Sequence, residues 1–182
     1  MKTAVLFGAR QPFGFELCSL LLEKGYDVFA IDHSDWITDE QEEKWLLIGR
    51  NANLRYMELE NVEDSIQQKL SDEKCLYIIP TLDYLNRCHP SARNELIYQL
   101  ERFSERKKTE ASLLLIHPPA TERSQSSFAG KLNGIFESLK KFHNVWEYCP
   151  SDAYASGLRE NLSAAANDAV NYLEQQKLLE SN

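Results

Sequence analysis

The sequence lacks the features that would place it among membrane, disulfide-rich or nucleic-acid-binding proteins. No apolar run approaches the roughly 18 residues needed to span a bilayer, and no basic and then apolar leader opens the chain, so we expect a cytoplasmic protein with no membrane partner. Four scattered cysteines, without a Cys-x-x-Cys pair or a histidine at zinc spacing, predict reduced thiols and no metal site. The formal net charge of -8 argues against nucleic acid as a partner.

Linkers, repeats and several catalytic motifs are also missing. No Gly/Ser-rich linker, long charge block or internal repeat divides the 182 residues, which predicts one domain over residues 1–182. The 43% hydrophobic content is enough to fill a single core. There is neither a Gly-x-Ser-x-Gly nucleophile elbow nor a Gly-Lys-Ser/Thr after the first strand, which argues against a serine hydrolase of that type and a P-loop nucleotidase.

Short apolar runs alternate with amphipathic stretches, as in βαβ units around a parallel sheet. The crossover rule then favours an α/β fold with a doubly wound parallel sheet, Rossmann-like, in three layers and with strand order 3-2-1-4-5-6. The predicted strands are Thr3–Phe7, Asp27–Ile31, Leu54–Leu59, Leu76–Ile79, Ser112–His117 and Asn144–Tyr148. The predicted helices are Gly14–Glu23, Glu40–Gly49, Val62–Leu70, Pro90–Lys107, Ser126–Phe142 and Leu158–Leu179.

The turn between the first strand and the first helix is the most informative segment. Gly8 is placed for a tight turn and Gly14 for close packing of helix on strand, as in dinucleotide-binding folds, where phosphates lie on the helix N-terminus. Asp32 ends the second strand, where a carboxylate accepts the ribose hydroxyls of adenosine and repels a ribose phosphate. If a nicotinamide cofactor binds, NAD is therefore favoured over NADP. The candidate cofactor contacts in this region are Gly8, Arg10, Gln11, Phe13, Gly14 and Asp32.

These residues resemble the short-chain dehydrogenase/reductase family, whose members carry Thr-Gly-x-x-x-Gly-x-Gly at this turn. Phe7 stands for the threonine, Gly8 and Gly14 match the first and last glycines, and Pro12 replaces the middle one. Proline has no backbone N–H and a restricted φ, so the turn is altered at that point. The resemblance runs to about Pro150 and implies the Rossmann fold, nicotinamide cofactor binding and oxidoreductase ancestry.

The family's catalytic residues are largely replaced. Its Tyr-x-x-x-Lys pair aligns with Ser127 and Lys131, so the lysine that would contact the cofactor ribose is kept while the acidic phenol is lost. A serine hydroxyl without an adjacent base is a poor proton donor at neutral pH. Asn94 resembles the asparagine that holds a relay water in some members. The family's Asn-Asn-Ala-Gly segment is absent after the fourth strand, and no catalytic serine follows the fifth.

Two functions remain open on these residues. The first is a catalytically altered relative, a pseudoenzyme that binds a nucleotide weakly or acts as a scaffold for a protein partner. The second is an NAD-dependent oxidoreductase whose proton donor comes from elsewhere, with Tyr148 and Tyr154 as the nearest candidates. Family members commonly form homodimers through the helices that here begin near Pro90 and Ser126, and the apolar content of these helices predicts the same.

Overall fold

A computed structural model describes residues 2–59, 75–85, 88–104, 111–118, 127–150 and 159–180. Its six strands form one parallel sheet in the order β3-β2-β1-β4-β5-β6, which confirms the predicted topology. The strands are β1 Lys2–Phe7, β2 Tyr26–Asp32, β3 Leu54–Glu58, β4 Cys75–Pro80, β5 Ser112–Ile116 and β6 Asn144–Tyr148. The helices are α1 Pro12–Glu23, α2 Asp39–Trp45, α3 Thr81–Leu85, α4 Pro90–Ser104, α5 Ser127–Leu139 and α6 Arg159–Glu180.

Helices cover both faces of the sheet and give the three expected layers. Alternate residues of β1 supply the two cores, with Ala4 and Leu6 on one face and Val5 and Phe7 on the other. The first core is shared with α1 and α6, and the second with α4 and α5. Burial on both faces explains why the central strands are continuous apolar runs rather than alternating ones.

Most predicted helices are present, with shifted ends. The capping box of Thr38 and Gln41 starts α2, but the helix stops at Trp45 rather than Gly49. Beyond Trp45 the chain continues in tighter turns, with the Ile48 and Gly49 amides both donating to the Trp45 carbonyl, at 3.1 and 2.8 Å. The predicted helix Val62–Leu70 lies outside the described residues. Helix α3 was not predicted, because five residues directly after a strand carry no helical periodicity.

The apolar residues behind the predicted dimer face lie within one chain's own core. Leu96, Leu100, Phe136 and Leu139 are buried between α4, α5 and the sheet. Ile97 and Ile135 are partly buried against the same core. Their apolar character is therefore accounted for by packing inside the chain, and homodimerisation stays a prediction.

Within the part of the chain that the structure describes, no helix combines the length and apolar character that a membrane crossing requires.

Candidate functional site

The turn between β1 and α1 has the geometry that its glycines predict. Gly8 has a φ of +68°, in the left-handed region that favours glycine, and its amide donates to the Ile31 carbonyl at 2.7 Å. Gly14 packs directly against this turn, since a Cβ there would lie 1.9 Å from the Gly8 carbonyl oxygen. The two glycines thus bring the start of α1 against the end of β1.

Asp32 ends β2 beside this turn and is completely buried. Both oxygens of its carboxylate accept the Arg10 amide, each at 3.1 Å. Burial raises the pKa of Asp32 to about 7, although the Arg10 amide and guanidinium charge act to lower it. The carboxylate predicted to meet a ribose therefore faces the turn, but the chain itself covers it.

Arg10 and Gln11 point into the layer formed by the chain after β2. The Arg10 guanidinium lies over the rings of Tyr56 and Trp45, 4.0 and 5.0 Å from their centres. Gln11 is buried, and its side-chain amide donates to the Trp36 carbonyl at 3.1 Å. These contacts cover the turn on the side of β2 and β3.

Asp83 of α3 occupies the N-terminus of α1. Its carboxylate accepts the Gly14 amide at 3.0 Å and the Phe13 amide at 3.4 Å, and these are the third and second residues of α1. Burial raises the pKa of Asp83 to about 7, the two amides act to lower it, and the nearby charge of Asp32 raises it further. The amides at which this fold binds phosphate thus already hold a carboxylate from the same chain.

Tyr84 fills the space next to Asp83. Its side chain is completely buried, its ring centre is 4.6 Å from that of Trp36, and its edge lies 3.2 Å from the Cβ position of Gly8. The hydroxyl is buried and has no hydrogen-bond partner among the residues that the structure describes, and burial raises the Tyr84 pKa well above its usual value. Sequence reasoning missed both Asp83 and Tyr84, although a carboxylate just after β4 becomes a candidate once β4 is placed beside β1.

A pocket of about 460 Å³ opens at the carboxyl ends of β5 and β6, next to α5. Glu147 accepts from Lys140 at 3.1 Å and lies 3.3 Å from the imidazole Nε2 of His117. Burial acts to raise the pKa of Glu147, but the hydrogen bonds and charges of Lys140 and His117 lower it overall. The lining residues are Leu85, His117, Pro118, Ala129, Asn133, Glu137, Lys140, Glu147, Tyr148 and Cys149. Tyr148, one of the two alternative proton donors, is thus in the pocket, while Tyr154 lies outside the described residues.

The predicted catalytic residues do not line this pocket. Ser127 and Lys131 are exposed, and Asn94 is exposed on α4. The α5 residues that do line it, each four residues after the last, are Ala129, Asn133 and Glu137. The structure therefore brings together the predicted cofactor residues of the turn, and it places Lys131, Ser127 and Asn94 at exposed positions that do not line the pocket.

Comparisons with known proteins place the fold. No protein-family model matches the sequence, and no curated protein sequence matches it. Among solved structures, the Lmo0794 protein from Listeria monocytogenes has a TM-score of 0.65 at 15% identity, over 96% of this chain and 92% of that one. A short-chain dehydrogenase/reductase family oxidoreductase from Burkholderia thailandensis has a TM-score of 0.52 at 13% identity, over 93% and 84%.

The enzyme WbmH of Bordetella bronchiseptica, solved in complex with NAD+, has a TM-score of 0.52 at 14% identity. The match covers 82% of this chain and 56% of WbmH. At identities of 13–15%, these similarities show that the fold is shared. The chain has the Rossmann fold found in short-chain dehydrogenases and reductases.

Proposed function

We propose that this protein is a short-chain-dehydrogenase-like pseudoenzyme that binds NAD weakly and does not catalyse carbonyl reduction. The observation that carries the proposal is that Ser127 and Lys131 are exposed and do not line the pocket, to which α5 contributes Ala129, Asn133 and Glu137 instead. Carbonyl reduction needs an acid that protonates the developing alkoxide, and the resembled family uses a tyrosine and a lysine four residues later on this helix. Alanine has no proton to give, an asparagine amide does not ionise at neutral pH, and the Glu137 carboxylate is ion-paired with Lys140 at 2.7 Å.

The rotation of α5 supports the same conclusion. Leu132, Phe136 and Leu139 are the buried residues of this helix, and they anchor it to the sheet. With that face fixed, Ser127 and Lys131 lie on the solvent side, away from the pocket. Restoring a tyrosine at Ser127 would therefore not rebuild the family's acid.

Weak binding of NAD follows from the geometry of the turn. The Gly8 turn, the start of α1 and Asp32 have the arrangement by which this fold binds a dinucleotide, and the similar fold of WbmH holds NAD+. Asp32 opposes a ribose phosphate, which favours NAD over NADP. Two buried carboxylates, Asp32 and Asp83, nevertheless have to be uncovered or displaced before a nucleotide gains these contacts, and that cost lowers the affinity.

A second candidate is an oxidoreductase in which Tyr148 donates the proton, because Tyr148 is the one tyrosine among the described residues that line the pocket. Burial, followed by the charges of Asp168 and Cys149, raises the Tyr148 pKa. A raised pKa makes the phenol a weaker acid at neutral pH. The first function is therefore favoured.

One set of measurements separates the two candidates. NADH is titrated by fluorescence, and its oxidation is followed by absorbance with a panel of aldehydes and ketones. The first function predicts saturable binding and no carbonyl-dependent oxidation. Oxidation that is abolished in Tyr148→Phe but kept in a matched control, Tyr98→Phe on the exposed side of α4, would establish the second. If NADH does not bind and no carbonyl-dependent oxidation occurs, a scaffold for a protein partner is the function that remains.

The cytoplasmic location and the homodimer expected from the sequence belong to this proposal. Fractionation of the source cells tests the location.

A further inference from the structure

The start of α1 carries the backbone N–H groups that this fold uses for phosphate. A helix N-terminus attracts anions because its first amides have no partner within the helix and the helix dipole is positive there. In this chain the Phe13 and Gly14 amides donate to the Asp83 carboxylate. A phosphate group and the Asp83 carboxylate are both anions that need the same two donors, so they cannot be bound there together.

Asp83 is held in place by the rest of α3. At the start of this helix the Thr81 hydroxyl donates to the Ile116 carbonyl at 2.9 Å. At its end the Arg93 guanidinium donates to the carbonyls of Tyr84 and Leu85, at 3.0 and 3.3 Å. Helix α3 is thus fastened to β5 at one end and to α4 at the other, while its middle residue reaches across to α1.

Tyr84 provides an independent observation about the closed arrangement. Its hydroxyl is completely buried beside Asp32 and Asp83 and makes no hydrogen bond to any part of the chain that the structure describes. A buried donor without a partner destabilises the arrangement that contains it, whereas exposure to water or to a ligand would give it a partner. The closed arrangement therefore leaves one polar group unsatisfied, and opening would satisfy that group.

We propose that α3 is an internal latch in which the Asp83 carboxylate takes the place of a nucleotide phosphate at α1, so that the anion site opens only when α3 moves away. This inference rests on the proposed function, because the latch acts on the same nucleotide site. The latch explains why a turn with Gly8, Gly14 and Asp32 in place coexists with a covered cleft. The ligand that it excludes is a phosphate or pyrophosphate group.

The test compares Asp83→Asn with the unaltered protein in NADH fluorescence titrations at about pH 8, where a carboxyl group with a pKa of about 7 is ionised. Asparagine keeps an oxygen that can accept one amide but removes the competing charge. We expect NADH to bind at least about tenfold more tightly to Asp83→Asn, and inorganic pyrophosphate to show the same change by calorimetry. Asp27→Asn makes the same chemical change at the amino end of β2, at the edge of the sheet opposite the turn, and should leave both affinities unchanged.

A second variant tests the role of the unsatisfied hydroxyl. Tyr84→Phe removes this hydroxyl and keeps the ring, so it should raise the melting temperature and leave NADH binding equal to or weaker than that of the unaltered protein. Circular dichroism confirms that each variant is folded.

The outcomes distinguish the latch from the proposed function. Equal affinity of Asp83→Asn and the unaltered protein for both NADH and pyrophosphate would overturn the latch and leave the missing reductase chemistry untouched. Carbonyl-dependent NADH oxidation by the unaltered protein would overturn the proposed function, while the affinity ratio would still decide the latch. Gain of pyrophosphate binding without NADH binding supports the latch and points to a different phosphate-bearing ligand.

Discussion

Gly14→Ala tests the close contact between β1 and α1 on which the whole site depends. The added Cβ would lie 1.9 Å from the Gly8 carbonyl oxygen, 2.8 Å from its carbonyl carbon and 3.2 Å from the Ala9 Cα. Since real Cβ atoms essentially never come within 3.0 Å of another group, the helix start or the turn must shift by about 1 Å. The atoms in the way are backbone, so no side-chain rotation relieves the collision.

The cost of this shift can be worked out from the contacts it disturbs. Overpacking of this kind costs about 1–3 kcal/mol, and loss of the hydrogen bonds from the Gly14 amide to Asp83 and from the Gln11 amide to Gly8 costs about 1 kcal/mol each. We therefore expect Gly14→Ala to lower the free energy of unfolding by about 3–5 kcal/mol, measured by urea denaturation followed by circular dichroism.

The matched control is Gly134→Ala in the middle of α5, where nothing lies within 4 Å of the new Cβ. There the change removes only the conformational freedom of glycine and should stabilise the protein by about 0.5–1 kcal/mol. The reasoning would be refuted if Gly14→Ala unfolded within about 1 kcal/mol of the unaltered protein, because the close approach would then be absent.

Three further predictions address protonation, cofactor choice and assembly. Burial raises the folded-state pKa of Asp83 to about 7, so its contribution to stability is present below pH 4 and is lost as the pH rises to about 7. The free energy of unfolding of Asp83→Asn, relative to that of the unaltered protein, should therefore be about 3 kcal/mol higher at pH 8 than at pH 5 in urea denaturation. The same relative stability at both pH values would contradict the raised pKa. NADH should bind at least about tenfold more tightly than NADPH. Asp32→Ala should reduce or reverse this preference for NADH, and Arg10→Ala should increase it. If the two substitutions changed the preference equally, Asp32 and Arg10 would not have opposing effects on the ribose phosphate. Light scattering should give the mass of a homodimer at micromolar concentration, and the 21.0 kDa of one chain would rule it out.

The sequence was sufficient for the features that depend on local chemistry. The alternation of apolar and amphipathic stretches predicted six parallel strands and their order. Burial of both faces of the sheet and the right-handedness of the crossover connections allow only a few strand orders. The capping box of Thr38 and Gln41 and the turn from Gly8 to Gly14 were readable for the same reason: their partners lie within a few residues.

The candidate site depends on contacts between residues that are far apart in the sequence, which local sequence patterns do not predict. Asp83 is 69 residues from the Gly14 amide that it meets, and only the pairing of β4 with β1 brings them together. Resemblance to the family pattern predicted Ser127 and Lys131 at the site, whereas packing of the apolar face of α5 turns Ala129, Asn133 and Glu137 to the pocket. Strand order and local caps follow from short-range sequence patterns, but which side chain fills a cleft is decided by burial across the whole sheet, and only the tertiary structure contains that information.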